Sequence, residues 1–211
     1  MRKYDLALVI VSATALAVFA IVTANVLNGQ LDAWNYAVYS RIALLINPGL
    51  TQTMISVSFA GRWYVYLTIA VLLLLAPKTR RRFGIPIFLT LGAGMASNYI
   101  LKYIFAVPRP DINRLASASG YGHPSGHVMY GMAFVGMCAF LLWQHAEIKP
   151  LKIGAVLFAA LFVPLMGFNR IYLGVHTATD VVAGYFAGIV IIASGILIMP
   201  KLGLLELRDH V

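Results

Sequence analysis

Six long apolar runs separated by short polar segments set the pattern of this chain, at residues 5–27, 51–76, 84–106, 125–143, 151–169 and 177–199. Each is close to the ~20 residues an α-helix needs to cross a bilayer's hydrocarbon. The pattern predicts an all-α, polytopic membrane protein of six transmembrane helices, and an even number puts both termini on one side. Between the first two runs, Leu31, Trp34, Val38, Ile42 and Leu45 recur at helical spacing beside Asp32, Asn35 and Arg41. That segment predicts an amphipathic helix lying along the interface. Trp63 and Tyr64 fit an aromatic belt. No linker, long-period repeat or low-complexity tract interrupts the chain, so residues 1–211 are expected to form one six-helix domain. Gly184 and Gly188 make a small-xxx-small pair, expected to pack the last span within the bundle.

Composition sharpens this picture. With 61% hydrophobic and only 11% charged residues, the chain is far too apolar for a soluble domain of its length. The formal charge of +9 does not indicate nucleic acid, because the cations fall between apolar runs instead of forming one patch. Arg2, Lys3, Lys78, Arg80, Arg81, Arg82, Lys149, Lys152, Lys201 and Arg208 all fall on one side of the six-span topology, which predicts that side, with both termini, to be cytoplasmic. The start of the chain superficially resembles a signal peptide, but the apolar run from Leu6 to Leu27 is too long and further spans follow, so an uncleaved first helix is expected. Cys138 is the single cysteine; no internal disulfide can form, and a packing role is expected.

The chemistry-bearing residues gather on the other side, at the outer ends of spans three to six. Lys102 and Arg109 flank the end of span three, where Pro108 is expected to stop the helix; two cations at the lip of an apolar span either snorkel or bind an anion. Span four opens with Gly122-His123-Pro124-Ser125-Gly126-His127. Pro124 suits the first helical position, which would leave the amides of Ser125, Gly126 and His127 free for an anion, with the Ser125 hydroxyl and the His127 ring beside them. Between spans five and six, Asn169-Arg170 is followed by His176 and Asp180. Those last two are four apart, so on a helix they would share a face and the carboxylate could hold an imidazole N–H. Arg170 offers a fork for phosphate. The outer carboxylates Asp32, Asp111 and Asp180 are not spaced as a hard-cation cluster, so no metal and no other cofactor is expected.

Three stretches, Lys-x6-Arg-Pro from Lys102 to Pro110, Pro-Ser-Gly-His from Pro124 to His127, and Asn-Arg-x5-His-x3-Asp from Asn169 to Asp180, stand in an order and spacing that resemble the type 2 phosphatidic acid phosphatase superfamily of membrane phosphatases. The resemblance covers nearly the whole chain. It implies that His176 is the nucleophile, Asp180 its orienter, and His127 the acid for the leaving oxygen and then the base for water. It further implies that Lys102, Arg109 and Arg170 hold phosphoryl oxygens, with Ser125 and the Gly126 amide as added donors. Asn169 departs from the family's usual serine, which leaves its role open; its amide can still donate. His123 is also unusual and could tune the pocket or contact a second phosphate, or be a plain interfacial histidine. Asp111 and Arg114 could touch a head group or form a solvated loop pair.

The expected function is a metal-independent phosphatase of a bacterial-type plasma membrane, acting from the extracytoplasmic face on lipids such as undecaprenyl pyrophosphate, phosphatidylglycerol phosphate or phosphatidic acid. The expected partners are that lipid and the bilayer, with no nucleic acid and no obligate protein partner. A lipid-linked phosphotransferase and a transporter that binds without hydrolysis are the alternatives, together with oxidation of the kind carried out by the superfamily's soluble haloperoxidases. The spans argue against the last, and the clustering of charge at one face argues against a transport path across the bundle.

Overall fold

The computed structural model describes residues 5–207. Those residues form helices and loops only: α1 (Asp5–Leu27), α2 (Asp32–Ala43), α3 (Pro48–Ala60), α4 (Trp63–Leu75), a single turn α5 (Pro77–Thr79) running through a wider turn at Arg80–Gly84 into α6 (Ile85–Phe105), α7 (Gly126–His145), α8 (Lys149–Tyr172) and α9 (Ala178–Ile198). Six segments are long and apolar enough to cross a membrane: Asp5–Leu27, Pro48–Leu75, Pro77–Phe105, Gly126–His145, Lys149–Tyr172 and Ala178–Leu202. The six expected spans are all present, with ends shifted by a few residues where caps extend a helix past its apolar run. Asn47, for example, accepts from Leu50 N–H at 2.9 Å and Pro48 takes the first helical position, so the second span begins three residues earlier than hydropathy alone indicated.

Helix α7 is the axis of the bundle. More than half of its apolar window is buried (56%), against 17% for α1, and it packs on α6, α8 and α9, while α1 covers α9. Close approach of α7 and α9 depends on the small-residue pair. A Cβ on Gly184 would lie 2.9 Å from the Ser125 carbonyl oxygen, and one on Gly188 would lie 2.7 Å from Met132 Cβ. The pair therefore packs within the bundle, as its spacing indicated. Leu91, Met137, Leu141 and Ile196 fill the core between these helices, and Leu6, Ile10, Leu72, Phe158 and Leu161 face outward, where lipid replaces water as the apolar contact.

The segment between the first two spans is helical as expected, but it turns a different face to the protein. Asn35, not Trp34, is buried: its Nδ2 donates to Thr179 Oγ1 at 2.9 Å and its Oδ1 accepts from Thr179 N–H at 3.0 Å. Thr179 sits in the first turn of α9, whose amides lack intrahelical acceptors, so an apolar side chain there would leave a buried donor unpaired. Val38 and Ile42 still pack on Ile171 and Val181, while Trp34 and Leu45 point outward.

Lys78, Arg80, Arg81, Arg82, Lys149, Lys152 and Lys201 lie at one end of the bundle, opposite the loops that follow α6 and α8. Arg2, Lys3 and Arg208, which share their expected side, fall outside the described residues.

A branched side chain on the α9 glycine stripe should be incompatible with this packing. Gly188→Leu is expected to lower the stability of the detergent-solubilised protein by about 1–3 kcal/mol, read as a fall in thermal midpoint. Gly154→Leu, at a position where a Cβ meets nothing within 4 Å, is the control and should leave the midpoint unchanged.

Candidate active site

The spacing between Arg170 and His176 is the spacing of a helix closure. Helix α8 ends at Tyr172, Gly174 takes φ +66°, and the chain closes with Val175 N–H to Arg170 O at 3.2 Å and Gly174 N–H to Ile171 O at 2.9 Å. This 6→1 and 5→2 pair is a Schellman closure, and a residue with a Cβ resists the left-handed backbone that Gly174 adopts. Two residues later Thr177 caps α9. Its hydroxyl accepts from Asp180 N–H at 3.2 Å, and Asp180 Oδ2 accepts from Thr177 N–H at 2.9 Å, a reciprocal capping box.

His176 therefore precedes the cap and does not share a helical face with Asp180, contrary to the sequence expectation. The two still meet, because the capping box folds the Asp180 carboxylate back over the helix start, where Oδ2 lies 3.3 Å from His176 Nδ1. A carboxylate only accepts, so Nδ1 carries the proton. On the other side of the ring, Arg109 Nη1 lies 3.2 Å from His176 Nε2, and a guanidinium only donates. Both contacts assign the same neutral tautomer, with the lone pair on Nε2. The electrostatics agree. Burial holds the His176 imidazole down from its ordinary 6.5 to about 4; the Asp180 carboxylate opposes that shift, and the Arg109 and Lys102 cations reinforce it.

The second oxygen of Asp180 has its own histidine. His123 Nδ1 lies 3.1 Å from Asp180 Oδ1, and its Nε2 lies 3.0 Å from Thr23 Oγ1 on α1, with the ring among Phe19 and Phe105. His123 is 0% exposed, so it stands behind the carboxylate and is out of reach of a second phosphate.

Helix α7 starts at Gly126 with Ser125 as its cap, so Pro124 lies before the cap and does not take the first helical position. Two tertiary hydrogen bonds hold Pro124 and Ser125 out of the helix: Ser125 N–H to Asp180 O at 3.0 Å, and Asn98 Nδ2 to Pro124 O at 3.1 Å. The Ser125 amide is thereby used, its hydroxyl is buried without a partner, and Ser125 does not line the cavity described next. Gly126 and His127 do line it, and His127 Nε2 is buried with no partner.

A cavity of ≈ 260 Å³ brings together Lys102, Arg109, Arg170, Gly126, His127 and His176. Each cation is held by oxygens that leave its charge uncancelled. Lys102 Nζ donates to the carbonyls of Tyr121 and Gly122, and Arg109 donates to the Ser119, Gly120 and Val175 carbonyls at 2.8–3.2 Å. Burial lowers the Arg109 pKa from its usual value, against the pull of Asp180. Arg170 donates to Ser58 Oγ and, through Nε at 2.9 Å and Nη2, to Asn169 Oδ1. Asn169 Nδ2 in turn donates to Met54 O, so its amide is spent on the backbone of α3 and its oxygen aims Arg170. Asn169, whose role the sequence left open, does not line the cavity. Asp111 and Arg114 also stay outside it; both are exposed, and Arg114 folds onto Pro110 O at 2.9 Å.

Sequence reading missed Tyr130, Asn98, Ser117 and Ser119 in the lining. Tyr130 was findable, standing one helical turn after His127, and so was Asn98, a polar residue four before Lys102 in an apolar span. Ser58 and Thr23, which hold Arg170 and His123, carry no local signal.

Comparison with known proteins places this arrangement. Residues 83–203 match the PAP2 superfamily. The chain is 26% identical over 176 residues to phosphatidylglycerophosphatase B of Bacillus subtilis, covering 82% of this chain and 87% of that protein. It is 30% identical over 156 residues to undecaprenyl-diphosphatase of Sulfolobus acidocaldarius, covering 71% of this chain and 68% of that protein. Among solved structures, the transmembrane PAP2-type phosphatidylglycerolphosphate phosphatase from Bacillus subtilis superposes with a TM-score of 0.83 over 90% of this chain and 96% of that one, at 24% identity. Aquifex aeolicus LpxE gives 0.61 over 77% and 94%, at 23% identity. With the three motifs converging on one cavity and the matched region spanning more than half the chain, this protein belongs to the PAP2 superfamily.

Proposed function

We propose that this membrane-embedded PAP2 protein is a metal-independent lipid phosphatase that removes the terminal phosphate of lipid phosphates or diphosphates through a phosphohistidine at His176. The observation that carries the reading is the treatment of one imidazole from both sides: Asp180 accepts a hydrogen bond from Nδ1–H, and Arg109 donates to Nε2. Nε2 thus bears a lone pair at neutral pH, on a ring that lines a cavity holding three cations and no carboxylate. That donor set attracts a phosphoryl group and repels a divalent cation.

In the first step Nε2 attacks phosphorus while the bond to the leaving oxygen breaks, and His127, whose Nε2 has no partner, gives that oxygen a proton. Lys102, Arg109, Arg170 and the Gly126 and His127 amides hold the equatorial oxygens, where charge concentrates during transfer. In the second step His127 takes a proton from water, the hydroxide attacks phosphorus, the P–N bond breaks, and His176 is regenerated. Asp180 steadies the imidazolium character that Nδ1 acquires as Nε2 bonds to phosphorus. The lysine- and arginine-bearing end of the bundle supports a cytoplasmic location for that end and an extracytoplasmic site. The Bacillus and Sulfolobus relatives support a phosphatidylglycerol phosphate or polyprenyl diphosphate substrate.

In excess chelator, the purified protein is expected to release inorganic phosphate from such lipids. His176→Ala should lose activity by at least about 10³-fold and Asp180→Asn by about 10²–10⁴-fold, with KM little changed. Turnover that survives in His176→Ala, or that returns only with added Mg²⁺, overturns the mechanism.

The low pKa of His176 makes a second prediction. Protonation removes the Nε2 lone pair, and the folded protein resists it until about pH 4, whereas the unfolded chain accepts that proton near 6.5. The acid limb of kcat/KM belonging to His176 should fall near pH 4, after separate correction for substrate ionisation. Stability contributed by this group should be complete above 6.5 and decline as pH drops from there toward 4. An acid limb at 6.5 that persists after that correction contradicts the burial of this ring.

A further inference from the structure

The second span is interrupted where a transmembrane helix would ordinarily continue. Between α3 and α4, Gly61 lies so close to Met166 Sδ that a side chain would collide with it, and a Cβ there would stand 3.6 Å from His127 Cδ2 and from the Tyr66 hydroxyl. The break is thus pressed against the proposed acid. It delivers Arg62, whose Nη1 donates to Tyr64 Oη at 2.8 Å and whose guanidinium lies 5.7 Å from the ring centroids of both Phe59 and Tyr64. No carboxylate pairs with Arg62 among the described residues. Arg62 is exposed at this break and has no counter-charge, so its guanidinium is open to an anion that comes to it.

A second cavity, of ≈ 240 Å³, opens at this point. Arg62 and Ser58 line it with apolar Ile55 and Leu173, and it shares His127 and Arg170 with the catalytic cavity. His176, Lys102 and Arg109 do not reach it. Its position follows the geometry of displacement at phosphorus. The leaving oxygen departs on the side opposite the attacking nitrogen, so with His176 as nucleophile and His127 as acid the leaving group extends past His127 into this second cavity. What it meets there is Arg62, a cation beyond the shared Arg170 and beside an apolar wall, and no acidic residue lines the space. A leaving group that ends in a neutral alcohol gains nothing from that cation. One that ends in a phosphate and continues as an apolar tail matches both features.

We propose that Arg62 and the cavity beyond His127 form a subsite for the inner phosphate of a lipid diphosphate, so that the protein favours diphosphate over monophosphate lipids of the same tail. The proposal rests on the catalytic reading above for which side the leaving group takes.

The test is kcat/KM for a prenyl diphosphate and for the matching prenyl monophosphate, in one detergent, with wild type, Arg62→Ala and Arg62→Lys. Wild type should favour the diphosphate by at least tenfold. Arg62→Ala should lose about 30-fold or more on the diphosphate and under about threefold on the monophosphate, and Arg62→Lys should recover part of the loss. Equal losses on both lipids, or a wild type indifferent to the second phosphate, overturn the subsite. Inorganic pyrophosphate against orthophosphate reads the same site without turnover: pyrophosphate should raise the wild-type thermal midpoint more than orthophosphate does, and Arg62→Ala should remove that difference. If neither lipid is hydrolysed but the pyrophosphate effect is present and Arg62-dependent, the catalytic reading fails and the subsite stands. If that effect is absent, or persists in a folded Arg62→Ala, the subsite fails whatever the catalytic result.

Discussion

The Asp180 carboxylate is the interaction on which the rest depends. It is buried, 2% exposed, at the end of the bundle where Lys102, Arg109 and Arg170 gather, and both of its oxygens accept hydrogen bonds. Oδ1 meets His123, Oδ2 meets both His176 and the Thr177 amide, and the backbone carbonyl of the same residue accepts from the Ser125 amide. An unpaired carboxylate in so dry a place would be strongly destabilising, so these donors cannot be independent of one another. Through them one residue joins α9 to the start of α7 by its backbone carbonyl and, by its side chain through His123 and Thr23, to α1. The same carboxylate caps the helix that carries it, so local folding of α9 and assembly of the site are a single event.

Around that anion the cations are arranged by backbone geometry more than by ion pairing. Lys102 and Arg109 are held by carbonyls of the loop joining α6 to α7, and that loop is fastened to the α8–α9 turn by Leu115 N–H to Leu173 O at 3.0 Å and to its own base by Gly122 N–H to Val107 O at 2.8 Å. Carbonyls orient a cation without neutralising it, which preserves its charge for a ligand. Arg170 follows the same logic through Asn169 and Ser58, neither of which is charged. The Asn169 amide spans from the α3 backbone to the guanidinium, donating to one and accepting from the other.

Local chemistry fixed much of this protein. Apolar runs set the number and order of spans, since a helix that satisfies its own backbone is the only economical way for one stretch of chain to cross lipid. Gly174 set the reversal after α8, and Thr177 with Asp180 set the start of α9; both are decisions made within six residues. The motif cations and histidines were legible for the same reason, being polar groups at the lips of apolar segments, where chance placement is penalised.

Contacts between distant segments decided the rest. Whether Pro124 opened α7 depended on Asn98 and Asp180, which lie on other helices. Whether Asn169 faced ligand or Arg170 depended on Met54, and whether His123 joined the pocket or backed its carboxylate depended on Thr23, 100 residues away in sequence. The inward turn of Asn35 on α2 answered an orphan amide on α9 that no hydrophobic pattern registers. By itself the sequence determined the spans, their order and the candidate site residues at the ends of those spans, because apolar periodicity and helix caps act over a few residues. Tertiary structure alone chose which partner satisfied each buried polar group, because a hydrogen bond between segments depends on where packing places both.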